Sequence, residues 1–324
     1  MDTGSDPLAA PYPEYTHGPH SSAPAVNFDT FHITAGPTPL PELPEVENLK
    51  QTLEPLIVGA KVHAVRLFRR DIVRFHEPSL QSKSIYDQLL LGRRIARLAR
   101  RGKQLAIIAD DGSTLRIQLG MSGQLRYLRH RQRLDQNNHV HCVWQLSRRA
   151  TRGRLVFRDP RRFGRLTAFA SFAELESSCW AALGPEAITI RSHTLRQRLQ
   201  RTCRAIKSAL LDQHVIAGIG NIYADEALFT AGIHPASQAD KLAQDSSQTL
   251  AKSIRSILQR AILCGGSTIR DYTDALGQNG SFASEHRVYG RSGQSCARCT
   301  SRLVSQFIGQ RSTVFCPHCQ QLLA

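Results

Sequence analysis

"VIAGIGNIYADEALFTAGIHP", residues 215–235, sets two glycines, Gly218 and Gly220, directly before a helix-forming run. The glycines predict a tight turn, Asn221 a helix N-cap, and Gly232 with Pro235 the stop of a helix ending near Thr230. Backbone N–H groups at such a helix start suit a phosphate, and the Asn221 side chain adds a further contact. Taken alone the pattern serves an ordinary structural turn equally well. Amphipathic helices are predicted on both sides, over "HTLRQRLQRTCRAIKSALLDQ" (193–213) and "SSQTLAKSIRSILQRAILCGG" (246–266). The stretch from about 172 to 265 therefore reads as a helical domain built around a turn–helix unit.

Upstream, from about 61 to 170, the period shortens. "KVHAVRLF", "KQLAIIA", "TLRIQL", "QLRYL", "HVHCVWQL" and "RLVFRD" are short β-type runs separated by turns. They predict an antiparallel sandwich, with "HRQRLDQNN" (130–138) as an exposed loop. Before them, "PELPEVE" (41–47) opens a helix. Pro44 suits its first position, acids favour its N-terminus, and Val46, Leu49, Leu53 and Leu56 share a face that Gly59 closes. Residues 1–40 are rich in Pro, Ser, Thr and His and are expected to be disordered.

Downstream, Cys296-x2-Cys299 and Cys316-x2-Cys319 stand sixteen residues apart, with a β-hairpin expected over "RLVSQFIGQRSTVF" between them. That is zinc-ribbon spacing: four thiolates arranged tetrahedrally on two knuckles, with a structural role, because so small a hairpin does not hold itself together. The other four cysteines sit singly, no signal peptide is visible, and a reducing cytoplasm is the expected compartment.

The chain has 324 residues and a formal net charge of +16. Its first 40 residues carry four acids and no Lys or Arg, so the remainder is more basic still. A body this basic points to a polyanion, with nucleic acid first. No apolar run approaches the roughly 18 residues of a membrane helix, so no membrane partner is expected. Three further stretches bear on that partner. "FRDPRRFGRL" (157–166) sets Arg161, Arg162 and Phe163 on a turn between strands, and "LGMSG" (119–123) sets Met121 at another loop tip, read as exposed. Two guanidinium groups beside a ring suit phosphate contact and insertion into a base stack; a core Met and a solvated Arg pair is the plainer reading. Lys103, in "RRGKQLAII", reads as a surface lysine.

Together and in this order, "PELPEVE", "RRGKQL", "LGMSG", "DPRRFG", "LGPE" (183–186), "IKSALLDQ", "GIGNIYADEALFTAGIHP", "VYGR" (288–291) and "QRSTVFCPHC" resemble the bacterial formamidopyrimidine-DNA glycosylases from Pro41 to about Gln321. The resemblance implies an α+β protein. A β-sandwich with a Pro-led helix would span 41–170, a helix–two-turns–helix domain 171–285, and a zinc ribbon 286–324. The implied partner is double-stranded DNA carrying oxidised purines or abasic sites, bound by a monomer in a basic cleft, and the implied cofactor is one structural zinc.

The resemblance also implies roles. Pro41 is the amine that attacks the sugar, Glu42 the acid that protonates the opening ring, Lys103 the lysine of β-elimination, and Arg311 the arginine that grips the lesion phosphate and serves δ-elimination. Asn221 is a phosphate ligand, and Glu45 and Glu226 are supporting acids. Met121, Arg161 and Phe163 fill the hole left by a flipped base. Three DNA-contact positions depart from the family: Gln118 replaces a histidine, Asn137 and His139 stand for a His-x-His pair, and Thr202, flanked by Arg201 and Arg204, replaces a lysine. An amide at Pro41 is not nucleophilic, and Leu40 sits where an initiator Met would be. The working enzyme is therefore expected to begin at Pro41. Two alternatives remain at this stage: a glycosylase for oxidised pyrimidines, which the resemblance of 271–291 to a purine-capping loop disfavours, and a damaged-DNA binder without catalysis.

Overall fold

The computed structural model describes residues 41–76, 84–132, 139–149, 151–267 and 272–322; the expectations for residues 1–40 and for Asn137 lie outside them.

Helix α1 spans Leu43–Ile57, with Glu42 as its N-cap in extended conformation. Pro44 is thus the second helical residue, not the first. The Glu42 N–H, otherwise unpaired at a helix start, donates to Glu45 Oε2 at 3.0 Å. Pro44 still costs nothing, since N–H groups of the first turn have no intrahelical acceptor.

Two sheets follow. The first has the order β1 (Lys61–Leu67), β7 (Val140–Arg148), β8 (Thr151–Arg158), β6 (Gln124–Arg129), all antiparallel. The second runs β2 (Val73–Phe75), β9 (Arg165–Phe169), β5 (Thr114–Gln118), β4 (Gln104–Ala109), β3 (Ile95–Arg101). The expected antiparallel pattern fails at one pair: β2 lies parallel to β9, Val73 opposite Leu166. The two strands are far apart in the chain, so no hairpin fixes their direction. Val62, Trp144 and Phe157 of the first sheet pack with Ile107, Leu115 and Leu166 of the second and with Val46, Leu49 and Leu53 of α1, and this is one core.

The helical part contains α4 (Ser192–Leu199), α5 (Ile206–Leu211), α6 (Asn221–Ala231) and α7 (Gln244–Leu263), after two short helices α2 (Ile85–Gln88) and α3 (Phe172–Leu175). The single helix expected over 193–213 is broken between α4 and α5. A second chain segment takes its backbone there: Ile206 N donates to Ser237 O at 2.7 Å and Ala239 N to Arg204 O at 3.0 Å. The Thr202 hydroxyl turns locally to accept from Arg204. Asn221 is the first residue of α6, and Gly220 is its N-cap; Gly232, at φ +72°, closes the helix in the left-handed region.

A second core joins Leu195, Leu199, Ile206, Leu210, Ile222, Leu228 and Leu250, and Leu43 of α1 belongs to it. The first turn of α1 thereby plugs into the helical part. Gly218, at φ +109°, has Leu43 where a Cβ would stand, 2.5 Å from Leu43 Cδ1, so only glycine fits. The ribbon hairpin is β10 (Val304–Ile308) and β11 (Arg311–Phe315). Gly309 and Gln310 both have positive φ, as a two-residue hairpin turn requires. Among the described residues no helix is long and apolar enough to cross a membrane.

Candidate active site

The start of α1 meets the start of α6. Leu43 N donates to Gly218 O at 3.0 Å. Glu42, 1% exposed, accepts from Gly220 N through Oε2 and from Ile222 N at 2.9 Å through Oε1. The glycine turn that the sequence offers as a phosphate cradle therefore spends two N–H groups on a carboxylate. Burial raises the Glu42 carboxyl to a pKa of about 7; the Lys103 charge opposes this and Glu45 adds to it. Its ordinary value would leave it fully ionised at neutral pH, so the burial makes it a proton donor there.

Lys103, at the turn between β3 and β4, is half-buried rather than a free surface group. Burial lowers its pKa, the charges of Glu42 and Glu45 oppose that, and Arg311 reinforces it. Arg311, exposed at the start of β11, acts electrostatically on both Lys103 and Lys207. Of the residues given chemical roles by resemblance, Glu42, Lys103 and Arg311 thus share one electrostatic neighbourhood, from the N-cap of α1, the β3–β4 turn and the ribbon, and Pro41 directly precedes Glu42.

Glu45 is buried behind Glu42. Its Oε1 accepts from Tyr223 Oη at 2.6 Å and Ser267 N at 2.7 Å, and burial raises its pKa. Glu226 accepts from Val288 N and Tyr289 N, both at 2.9 Å, and so supports "VYGR" through its backbone.

Asn221 lies beside the ribbon: its Nδ2 donates to Ser312 O at 3.0 Å. Two residues without an assigned role hold the same strand. Lys207, fully buried, donates to Ser312 O at 3.0 Å and Thr313 Oγ1 at 2.7 Å. Its Nζ lies 2.6 Å from Asp225 Oδ1, and Asp225 Oδ2 accepts from Val314 N at 3.1 Å. Burial pushes both partners toward their neutral forms while each charge holds the other ionised. Asp225, an acid beside the expected supporting acid Glu226 inside an otherwise buried helix, is the signal in the sequence that could have pointed to this pair.

The loops "LGMSG" and "DPRRFG" are joined. A Cβ on Gly120 would stand 2.6 Å from the Phe163 carbonyl carbon, so "LGMSG" and "DPRRFG" touch. Asp159, fully buried, accepts from Ser122 Oγ at 2.5 Å and Gly164 N at 2.6 Å. Phe163 is 53% exposed with the Arg161 guanidinium 5.1 Å from its ring centre; Met121 is half-buried, between the exposed and the core reading. Gln118 ends β5 opposite Arg165. His139 is exposed with φ +56°, and Thr202 is occupied by Arg204.

The sulfur atoms of Cys296, Cys299, Cys316 and Cys319 lie within 4.8 Å of one another. The Cys296–Cys319 and Cys299–Cys316 separations are 3.9 and 3.5 Å. Zinc–sulfur bonds of about 2.3 Å in a tetrahedron place sulfurs about 3.8 Å apart, so the set fits a four-thiolate metal site.

Comparison with known proteins agrees in extent. The family model described as "Formamidopyrimidine-DNA glycosylase N-terminal domain" matches residues 40–166, and "Formamidopyrimidine-DNA glycosylase H2TH domain" matches residues 182–273. A formamidopyrimidine-DNA glycosylase of Shewanella halifaxensis is 38% identical over 285 residues, 87% of this chain and 100% of the relative. One from Thermomicrobium roseum is 40% identical over 301 residues, again 87% and 100%. The structure of Lactococcus lactis Fpg with abasic-site DNA is similar at a TM-score of 0.76 and 34% identity, over 86% of this chain and 99% of that one. MutM bound to DNA with a carbocyclic 8-oxo-G gives 0.76 and 34%, over 87% and 100%. The chain belongs to the formamidopyrimidine-DNA glycosylase family.

Proposed function

We propose that this protein is a base-excision-repair DNA glycosylase and abasic-site lyase that removes oxidised purines, 8-oxoguanine and formamidopyrimidines, from double-stranded DNA. The observation that carries the reading is Glu42: a buried carboxyl with a pKa near neutrality, next to Pro41 and in the field of Lys103, itself in that of Arg311.

In the proposed reaction the lone pair of a secondary amine at Pro41 attacks C1′. The C1′–base bond breaks and the base leaves with a proton. Glu42 protonates the ring oxygen as the sugar opens, leaving a C1′ iminium. The positive iminium acidifies the C2′ proton; its removal, assigned with Lys103, breaks the C3′–O3′ bond and leaves a 5′-phosphate. A second elimination, served by Arg311 at the phosphate, breaks C5′–O5′ and leaves a 3′-phosphate. Asn221, Gln118, His139, Asn137 and Thr202 are proposed DNA contacts, and Met121, Arg161 and Phe163 fill the space of the extruded base.

The amine exists only if the peptide bond from Leu40 is absent, so the working form is proposed to begin at Pro41. The family match from residue 40 and the full coverage of relatives by 87% of this chain support that reading. The proposed divisions are 41–170, 171–285 and 286–324, working as a monomer at the cytoplasmic nucleoid. The metal is proposed to be zinc, held by the four cysteines in a structural role, fixing the hairpin that carries Arg311.

The test uses duplexes carrying 8-oxoguanine, a formamidopyrimidine or an oxidised pyrimidine. The expected result is release of the two purine lesions and a gap with phosphate at both ends. Preference for the pyrimidine lesion would favour the alternative glycosylase, and binding without release would favour a damage binder.

A further inference from the structure

Segment 183–186, "LGPE", joins the two halves of the site. On one side it pairs with the turn that opens α6: Ala217 N donates to Pro185 O at 2.9 Å and Ala187 N to Ala217 O at 3.0 Å. That turn supplies Gly218 O to Leu43 and Gly220 N to Glu42. On the other side Glu186 grips the β3–β4 turn. Its Oε1 accepts from Gly102 N at 2.5 Å, and its Oε2 accepts from Arg100 Nη1 at 2.9 Å. Arg100 is 9% exposed in its side chain; it also pairs with Glu47 of α1 at 2.6 Å and donates to Gly102 O at 2.9 Å. A Cβ on Gly102 would stand 3.2 Å from Ala217 Cβ and 3.3 Å from Gly218 N, so the turn is in contact with the same α6 opening.

Lys103 follows Gly102 directly, and Glu42 hangs from Gly220. We infer that Glu186 is a positioning residue for Lys103, fixing its amine relative to Glu42 by clamping the peptide before it against the segment that holds Glu42. The inference rests on the role proposed for Lys103. A carboxylate suits this clamp because one oxygen takes the backbone N–H while the other takes the guanidinium, and Arg100 returns a second bond to the same turn. A surface ion pair would tolerate loss of either partner; here the accepting atom sets where a half-buried amine stands.

The test compares Glu186→Ala, Glu186→Gln and wild type by two readouts. First, nicking at preformed abasic sites in single turnover should fall about 10- to 100-fold in Glu186→Ala. Binding to a duplex with an uncleavable tetrahydrofuran site, and metal content, should hold. Glu186→Gln keeps an oxygen for Gly102 N and should return to within about threefold of wild type. Second, reductive 13C-methylation and NMR, with the Lys103 signal assigned by Lys103→Arg, read the Lys103 titration without any reaction. In Glu186→Ala it should rise by about half a unit or more, because water reaches an amine that burial depresses, and in Glu186→Gln it should stay. An unmoved titration in a folded Glu186→Ala overturns the inference, as does a loss of nicking matched by equal losses of binding and thermal stability. If wild type fails to nick while the titration moves as stated, the proposed function falls and the positioning stands.

Discussion

Ser122 donates its hydroxyl to Asp159 Oδ1 at 2.5 Å, and the same Ser122 oxygen accepts from Arg161 N at 3.0 Å. This pair locks the Met121 loop to the Arg161–Phe163 loop, and neither loop sits in a regular element. The Asp159 carboxylate also takes Gly164 N, so it faces donors on both oxygens. Asp159→Asn would turn an NH2 group toward one of them and leave a buried donor unpaired, at about 2 kcal/mol. The expected outcome is a several-degree fall in melting temperature and weaker binding to lesion duplexes, with metal content unchanged. Wild-type affinity would count against a shared anchor for the two loops.

The ribbon separates two effects that Arg311 combines. Cys316→Ser should lose the metal and DNA binding together, since the hairpin's apolar packing is a small cluster around Phe229, Val288, Leu303 and Val314 and the polar bonds from Asn221, Lys207 and Asp225 hold β11 alone. Arg311→Ala should keep the metal and weaken binding. Its log–log salt dependence should flatten by about one unit, the counterion released by one phosphate contact. Metal analysis and binding titrations at several salt concentrations check both. Full binding by a metal-free Cys316→Ser protein, or an unchanged slope for Arg311→Ala, would contradict the assignment.

Glu42 makes folding stability depend on pH in a defined direction. Its carboxyl titrates near 7 in the folded chain against an ordinary 4.5. Between those values the folded protein holds a proton that the unfolded chain has released, so stability falls as pH rises through the window, by up to about 3 kcal/mol. Glu42→Gln removes the titration. It should unfold near the wild-type denaturant midpoint below pH 4.5 and be the more stable protein at pH 8, while base release falls about 100-fold or more. Parallel stability–pH curves for the two proteins would show that the carboxyl is not perturbed.

What was legible in the sequence was local. The cysteine pairs gather because two-residue spacings within a hairpin leave them little choice. Glu42 and Lys103 were assigned through short motifs, and they meet where α1 and the β3–β4 turn converge on α6. The misses depend on partners distant in the chain. Asp159 serves a loop 37 residues away, Lys207 a strand 106 residues away, and Glu186 a turn 84 residues away; periodicity carries no record of such pairings. The break between α4 and α5 is of the same kind, since residues 235–239 take backbone groups that a continuous helix would have used. Met121 lies between the exposed and the core reading that its loop allows, because a second loop packs against its own.

The whole proposed mechanism depends on attack by the free amine of Pro41. Its most direct test is borohydride reduction of the natively expressed protein on abasic-site duplex, followed by mass mapping of the covalent adduct. The expected result is a trapped protein whose chain begins at Pro41, with the reduced sugar on that nitrogen. A trapped adduct on Lys103, or one on protein that still carries Met1 and an intact Leu40–Pro41 bond, would contradict it.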